Sequence, residues 1–335
     1  MTRRTGDMAL PRLFRSPILP SLLIFCILII SCGKKGEPTL KSYEKPDAPS
    51  DLRAIHRESE ILLFWDFPAG EELTIKGFQL MKSIPSSPTL GKGGWGDFEK
   101  VAFLEPDKRS YTDTDFKIGA QYRYKIVSEN LRGVLSNDSN IIEIIPEEPP
   151  LPPEKLSFKI EFNSLTLTWR SAGDEVLYNI YKSNKKGIYS LTPLNKEPVK
   201  ETSFKDSFDV EKTAYYTIRS LRGGVIRNEG PASEELVVSP SDFVPSAPEG
   251  LQAVVQDDKV YLIWKEVPET WVAGYRVYRE IDKTAGYQVI GETTVPAFID
   301  QEKPVTKRNY RVTALGPSKE GPASEINDVV FVPYR

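Results

Sequence analysis

Residues able to do covalent or acid–base chemistry are few in this chain. Its 335 residues include two cysteines, Cys26 and Cys32, both in or beside an N-terminal apolar run, and one histidine, His56. With one imidazole and no thiol beyond residue 32, a His/Cys metal cluster and a Ser-His-Asp arrangement are both excluded or nearly so. His56 follows the first expected strand, where a solvated or edge position is the default. Carboxylates occur as adjacent pairs, Glu71-Glu72, Glu147-Glu148 and Glu234-Glu235, in loop-like or linker-like stretches. Glycosidase chemistry needs two carboxyls facing each other across a cleft, so these pairs read as solvated charge. A Gly-Lys-Ser/Thr phosphate loop and an Arg-Gly-Asp triplet are absent. Two tryptophans stand out as candidate ligand aromatics. Trp95 lies in the glycine-rich Gly91-Lys-Gly-Gly-Trp-Gly96, and Trp271 precedes Gly274-Tyr275. Each could stack on a sugar or a partner protein, or simply pack.

Charge and hydropathy organise the N-terminus. The formal net charge is -3, but residues 1–31 carry Arg3, Arg4, Arg12 and Arg15 against Asp7 alone, a balance of +3 that leaves -6 for the remainder. A mildly acidic exterior gives no reason to expect a nucleic-acid partner, and no electrostatic reason to lie on an anionic bilayer. The apolar run Ile18 to Ile30 is 13 residues long, short of the roughly 20 a spanning helix needs. Behind its arginines and before a small residue, it has the order of parts of a secretory signal.

Ile29-Ile30-Ser31-Cys32 resembles the lipobox of bacterial lipoproteins. The resemblance implies diacylglyceryl transfer to the Cys32 thiol, cleavage between Ser31 and Cys32, and acylation (commonly palmitate) of the new amino terminus. Two or more acyl chains give stable attachment where one is marginal. Gly33 in place of Asp implies export to the outer membrane. The stretch from Cys32 to Pro38 is also similar to the mature start of very small outer-membrane lipoproteins. Residues 33–45 are polar and rich in Lys, Gly and Pro, the composition of a flexible tether.

Beyond residue 45 the chain repeats three times. Each unit opens on Pro-x-x-Pro before a leucine: Pro46, Pro49 and Leu52; Pro149, Pro152 and Leu156; Pro245, Pro248 and Leu251. Leu52 to Trp65, Leu156 to Trp169 and Leu251 to Trp264 keep one spacing, and each tryptophan closes an apolar or alternating run. The pattern predicts strands with these tryptophans in the core. Next come a strand ending on Lys82, Lys182 or Arg279 and an aromatic-x-Asp signature at Asp113, Asp206 and Asp300. A strand led by Tyr124, Tyr216 or Tyr310 then precedes a Gly and Ser turn at Gly133–Ser136, Gly230–Ser233 and Gly321–Ser324.

These motifs resemble the fibronectin type III family over about residues 46–335. The resemblance implies an all-β chain of three tandem fibronectin type III or immunoglobulin-like β-sandwiches. It also places a tyrosine-corner residue at Tyr122, where the other copies have Ala214 and Arg308, with Tyr215 a possible substitute in the second. The expected organisation is a signal peptide at 1–31, lipidated cysteine and tether at 32–45, and modules at 46–148, 149–241 and 242–335. Pro146 to Pro153 predicts a semi-rigid polyproline II spacer. With no cofactor, no metal and no residue set for catalysis, the expectation is a non-catalytic protein of the bacterial cell envelope. Membrane lipid would hold it through Cys32, and its modules would bind an envelope protein or glycan. A periplasm-facing spacer or assembly factor and a glycan-active enzyme are the alternatives.

Overall fold

The structure, a computed structural model, describes residues 44–84, 97–222, 227–282 and 284–330. Ser31, Cys32, the tether up to residue 43 and Trp95 lie outside the described residues. The described chain is all-β: three fibronectin type III-like sandwiches, each closed around its own hydrophobic core.

The first module contains β1 (Ser50–Arg57), β2 (Glu60–Asp66), β3 (Ile75–Ser83), β4 (Glu99–Leu104), β5 (Ser110–Asp113), β6 (Tyr122–Asn130) and β7 (Ile142–Ile144). One sheet runs β1-β2-β5 and the facing one β4-β3-β6-β7. The second has β8 (Glu154–Glu161), β9 (Ser164–Arg170), β10 (Leu177–Ser183), β11 (Ser203–Asp206), β12 (Ala214–Arg222), β13 (Asn228–Ala232) and β14 (Leu236–Val238). Its sheets are β11-β9-β8 and β10-β12-β13, with β14 also on β12. The third has β15 (Glu249–Gln256), β16 (Lys259–Lys265), β17 (Gly274–Asp282), β18 (Gly286–Thr293), β19 (Ala297–Asp300), β20 (Arg308–Leu315) and β21 (Ser324–Val329), forming β15-β16-β19 and β18-β17-β20-β21.

Alternation creates the inner faces. In β9, Leu165, Leu167 and Trp169 are buried while the residues between them are not, as a period of two requires. Trp65, Trp169 and Trp264 are all buried and meet Phe78, Tyr178 and Tyr275 edge-on, with ring centroids 5.6, 5.3 and 5.2 Å apart. Each opening strand carries a register shift around a left-handed residue, Asp51, Lys155 or Gly250, immediately before the repeated leucine. Such a bulge re-aims the strand, here as it enters the core. Gly230 and Gly321 lie against the carbonyls of Pro150 and Pro245, too close for a β-carbon, which ties the turn glycine of each of these modules to the proline-marked segment that opens it.

The aromatic-x-Asp signature acquires a physical meaning. Asp113 accepts from the Tyr124 hydroxyl at 2.7 Å and pairs with the Lys82 ammonium at 2.8 Å. Asp206 does the same with Tyr216 and Lys182, both at 2.7 Å, and Asp300 with Tyr310 and Arg279, both at 2.8 Å. Three strands are thereby cross-linked through one carboxylate in every module. Burial pushes the three phenols above their ordinary range, so they remain donors at any ordinary pH.

The tyrosine corner is present once. The Lys117 N–H donates to the Tyr122 hydroxyl at 2.8 Å. In the third module the Arg308 guanidinium takes over, donating to the carbonyls of Glu302 and Lys303 at 2.7 and 2.8 Å. Ala214 has no group to do this, and no hydrogen bond of the Tyr215 hydroxyl is found among the described residues.

Trp169→Ala should destabilise the second module by about 3 to 5 kcal/mol, a large share of a domain's roughly 5 to 15. Calorimetry of the full chain should show a downward shift of the transition that includes this module; an unchanged thermogram would refute the core assignment.

Candidate functional site

The residues that could recognise something collect at the junctions between modules. The C-terminal end of β1, still paired with β2 on one side, pairs in parallel with β13 on the other, His56 opposite Asn228 and Arg57 opposite Glu229. The His56 amide donates to the Arg227 carbonyl at 3.0 Å and the Glu58 amide to the Glu229 carbonyl at 2.9 Å. One sheet, β10-β12-β13-β1-β2-β5, therefore runs through two modules.

A buried carboxylate fixes this pairing. The Glu229 side chain is 0% exposed, and an ionised carboxyl without water must be surrounded by donors. Arg57 supplies two, at 2.9 and 2.6 Å, from the first module. Asn179 and Tyr181 each supply one at 2.6 Å from the second. The Arg57 guanidinium also lies over the Tyr181 ring, 5.3 Å from its centroid. Outside this cluster Arg219 donates to Glu58 at 2.6 Å and to the Gly230 carbonyl at 2.8 Å.

His56, expected at a solvated or edge position, is 1% exposed. The expectation fails because β1 does not end at a free sheet edge. The imidazole stands edge-on to Phe116 at 5.3 Å. Neither ring nitrogen makes a well-formed hydrogen bond, with the Asn228 side chain and Glu58 backbone nearest and Glu147 and Glu148 as the neighbouring charges. Desolvation outweighs those acids and holds its pKa below 6.5.

The proline-rich linker is held rather than free. Asn228 donates to the carbonyls of Glu147 and Glu148 at 3.1 and 3.3 Å, and the Ser220 hydroxyl to that of Leu151. Glu147-Glu148 thus contributes carbonyls as well as charge.

Trp271 belongs to the second junction. Its indole N–H donates to the Phe162 carbonyl at 2.7 Å, and its ring meets Phe243 at 5.8 Å, against the second module's core. Phe162 takes a left-handed φ of 47°, uncommon for a bulky side chain, where its carbonyl meets the indole. Asn163 accepts from the Thr270 amide and hydroxyl, both at 2.9 Å. The half-buried indole therefore joins modules. The other acidic pairs serve local structure: Glu72 accepts from Arg109 at 2.5 Å, and Glu235 from Tyr189 at 2.8 Å. Among the described residues no group of three or more His, Cys, Asp or Glu is placed to hold a metal ion.

No protein-family model matches the chain. Among curated proteins it is 23% identical to rat Neogenin, over 84% of this chain and 21% of that protein. It is 24% identical to chicken "Cell adhesion molecule DSCAM", over 97% of this chain and 17% of that one. A "Fibronectin type III domain-containing protein 1" from Margaritifera margaritifera is 22% identical over 81% of this chain and 37% of its own length. The chain spans about a fifth of the first two relatives. The crystal structure of chicken CNTN1 FN1-FN3 domains shares 16% identity, covers 83% of this chain and 97% of its own, and has a TM-score of 0.24. The similarity is to fibronectin type III domain proteins.

Arg57→Ala would leave Glu229 buried without its counter-charge, a loss of about 3 to 5 kcal/mol. Native-state hydrogen exchange should speed up at the His56 and Glu58 amides while amides inside β9 and β16 hold; unchanged exchange at the junction would contradict the buried pair. A second expectation concerns pH. The unfolded chain binds a proton at His56 near 6.5 and the folded chain only below that, so protons favour unfolding. Junction stability should fall as pH drops through the ordinary histidine range, then level off once folded His56 is charged. His56→Gln should flatten this slope between about pH 7 and 5, leaving a separate acid loss at lower pH from carboxylates such as Asp300, whose pKa is lowered. An identical slope in His56→Gln would rule out His56 as the sensor.

Proposed function

We propose that this protein is a non-catalytic, lipid-anchored display protein of a bacterial cell envelope. Cleavage after Ser31 frees Cys32, acyl chains on that cysteine hold it to the outer membrane, and three sandwiches after a tether present loops and sheet faces to a partner protein or glycan. The observation that carries the reading is the continuous sheet through the first two modules, locked by Glu229. A scaffold whose joints are built from main-chain pairing presents its surfaces at fixed mutual positions, which suits binding. Adhesion is the printed role of DSCAM, and it supports the protein-binding side of the reading. Anchoring rests on the sequence around Cys32.

The same stiff joint favours a second reading, a periplasm-facing spacer or assembly factor, in which the modules set a distance. Protease treatment of intact cells separates the two. Digestion of the modules supports surface display, and full protection supports the spacer.

Cys32→Ser should shift the protein from the membrane to the soluble fraction after cell disruption, because it removes the site of acylation. Retention of Cys32→Ser in membranes would end the lipoprotein reading.

A further inference from the structure

Pairing β1 with β13 does more than stiffen the chain: it makes a groove. About 550 Å³ in volume, the groove is lined by Arg53, Ala54, Ile55, Phe64, Arg109 and Ser110 of the first module and Leu191, Thr192 and Arg227 of the second. Its lining holds three arginines and no carboxylate, although the chain as a whole is net acidic at -3.

The register explains the arrangement. Arg53, Phe64 and Ser110 are direct cross-strand neighbours on β1, β2 and β5, so they form one row across the outer sheet face. Arg53 stacks on Phe64, 4.9 Å from the ring centroid. Its ion pairs, with Asp51 at 3.1 Å and Asp66 at 3.5 Å, are solvent-exposed on both sides and exchange readily. Arg109 is held by Glu72. Arg227 differs: it is half-buried beside the junction, and its guanidinium makes no ion pair or hydrogen bond with the described residues. A guanidinium presents a planar fork of donors that matches a carboxylate, and the floor of Ala54, Ile55, Phe64 and Leu191 is apolar.

We infer that this inter-module groove binds an extended peptide segment in which carboxylate side chains alternate with aliphatic ones, Arg227 taking a carboxylate and the apolar floor an aliphatic side chain. The inference deepens the binding reading above and rests on it. A peptide fits better than a sugar for two reasons. The lining sets a guanidinium beside an apolar floor, which matches the alternating carboxylate and aliphatic side chains of an extended chain. The one aromatic face in the lining, Phe64, is occupied by Arg53 rather than open for sugar stacking. Assembly from both modules also means that the site exists only while the junction is closed.

The test uses the full-length chain in neutral-lipid nanodiscs and three probes: a short fluorescent peptide of alternating Leu and Glu, its Leu and Gln counterpart, and an oligogalacturonate. Saturable binding of the Leu/Glu peptide should weaken with salt, and by about tenfold or more in Arg227→Gln. Thr192→Glu, which adds a like charge from a loop outside the shared sheet, should weaken it similarly, and it carries the test if Arg227→Gln disturbs the junction amides. Equal binding of the Leu/Gln peptide, unchanged affinity in both variants, stronger binding of the uronate, or no saturable binding of the Leu/Glu peptide would each overturn the groove assignment. Any of these outcomes alongside Cys32-dependent membrane retention and digestion of the modules on intact cells removes the groove and leaves the display reading standing, whereas loss of that retention removes the anchor whatever the peptide does.

Discussion

Glu229 is the constraint on which the long-range arrangement depends. A carboxylate with no exposed surface cannot be stabilised by solvent, and the donors that meet it come from both sides of a module boundary. Satisfying it requires β1 to reach beyond its own sandwich. That reach brings the His56 and Glu58 amides to the carbonyls of Arg227 and Glu229, buries His56, and places Arg53 and Phe64 opposite Leu191 and Arg227. The groove, the histidine and the docked linker are therefore consequences of one desolvated charge.

Within each module a smaller version of the same logic operates. Asp113, Asp206 and Asp300 each gather a phenol and a cation from neighbouring strands. The chemistry is kept while its details drift: lysine serves twice and arginine once, and Arg308 adds a second cation to Asp300 at 3.0 Å while replacing a tyrosine corner. The second module diverges further. The segment between β10 and β11 forms no strand equivalent to β4 or β18, and part of it, around Leu191, faces the first module instead.

Features set by local periodicity were legible in the sequence. Alternation around Trp65, Trp169 and Trp264 marks a buried face because a sheet has a period of two, and the spacing from the opening leucine follows from the hairpin joining the first two strands. The triads were half legible: Asp113 and Tyr124 recur with their equivalents at near-constant spacing, and Lys82, Lys182 and Arg279 end the same strand, but only the fold shows that they meet. Junction contacts were not legible. His56 has no neighbouring pattern that signals burial, and Glu229 looks like any acid near a turn. Parallel pairing between modules joins residues such as Arg57 and Glu229, about 170 positions apart, so no local window contains both. Trp271 offered one usable signal: it broke the repeat, and a large aromatic outside the repeating core must be covered by something else, here the second module.

A buried ion pair is a poor source of net stability, because the desolvation of both partners offsets most of their attraction. An apolar joint of equal area would hold these modules as firmly, so the use of Arg57, Glu229, Asn179 and Tyr181 calls for a different explanation. Apolar surfaces slide, since any register buries similar area, whereas a carboxylate with four donors is satisfied in one arrangement and penalised in every other. The polar joint thus selects the register in which His56 faces Asn228 and Arg57 faces Glu229. A groove made from two modules needs that selection: a shift of one residue along β1 would turn Arg53 and Phe64 to the opposite face and separate them from Arg227. The second junction uses a simpler device, one indole N–H and one asparagine. Where the geometry between modules matters most, the chain has placed its most demanding polar cluster.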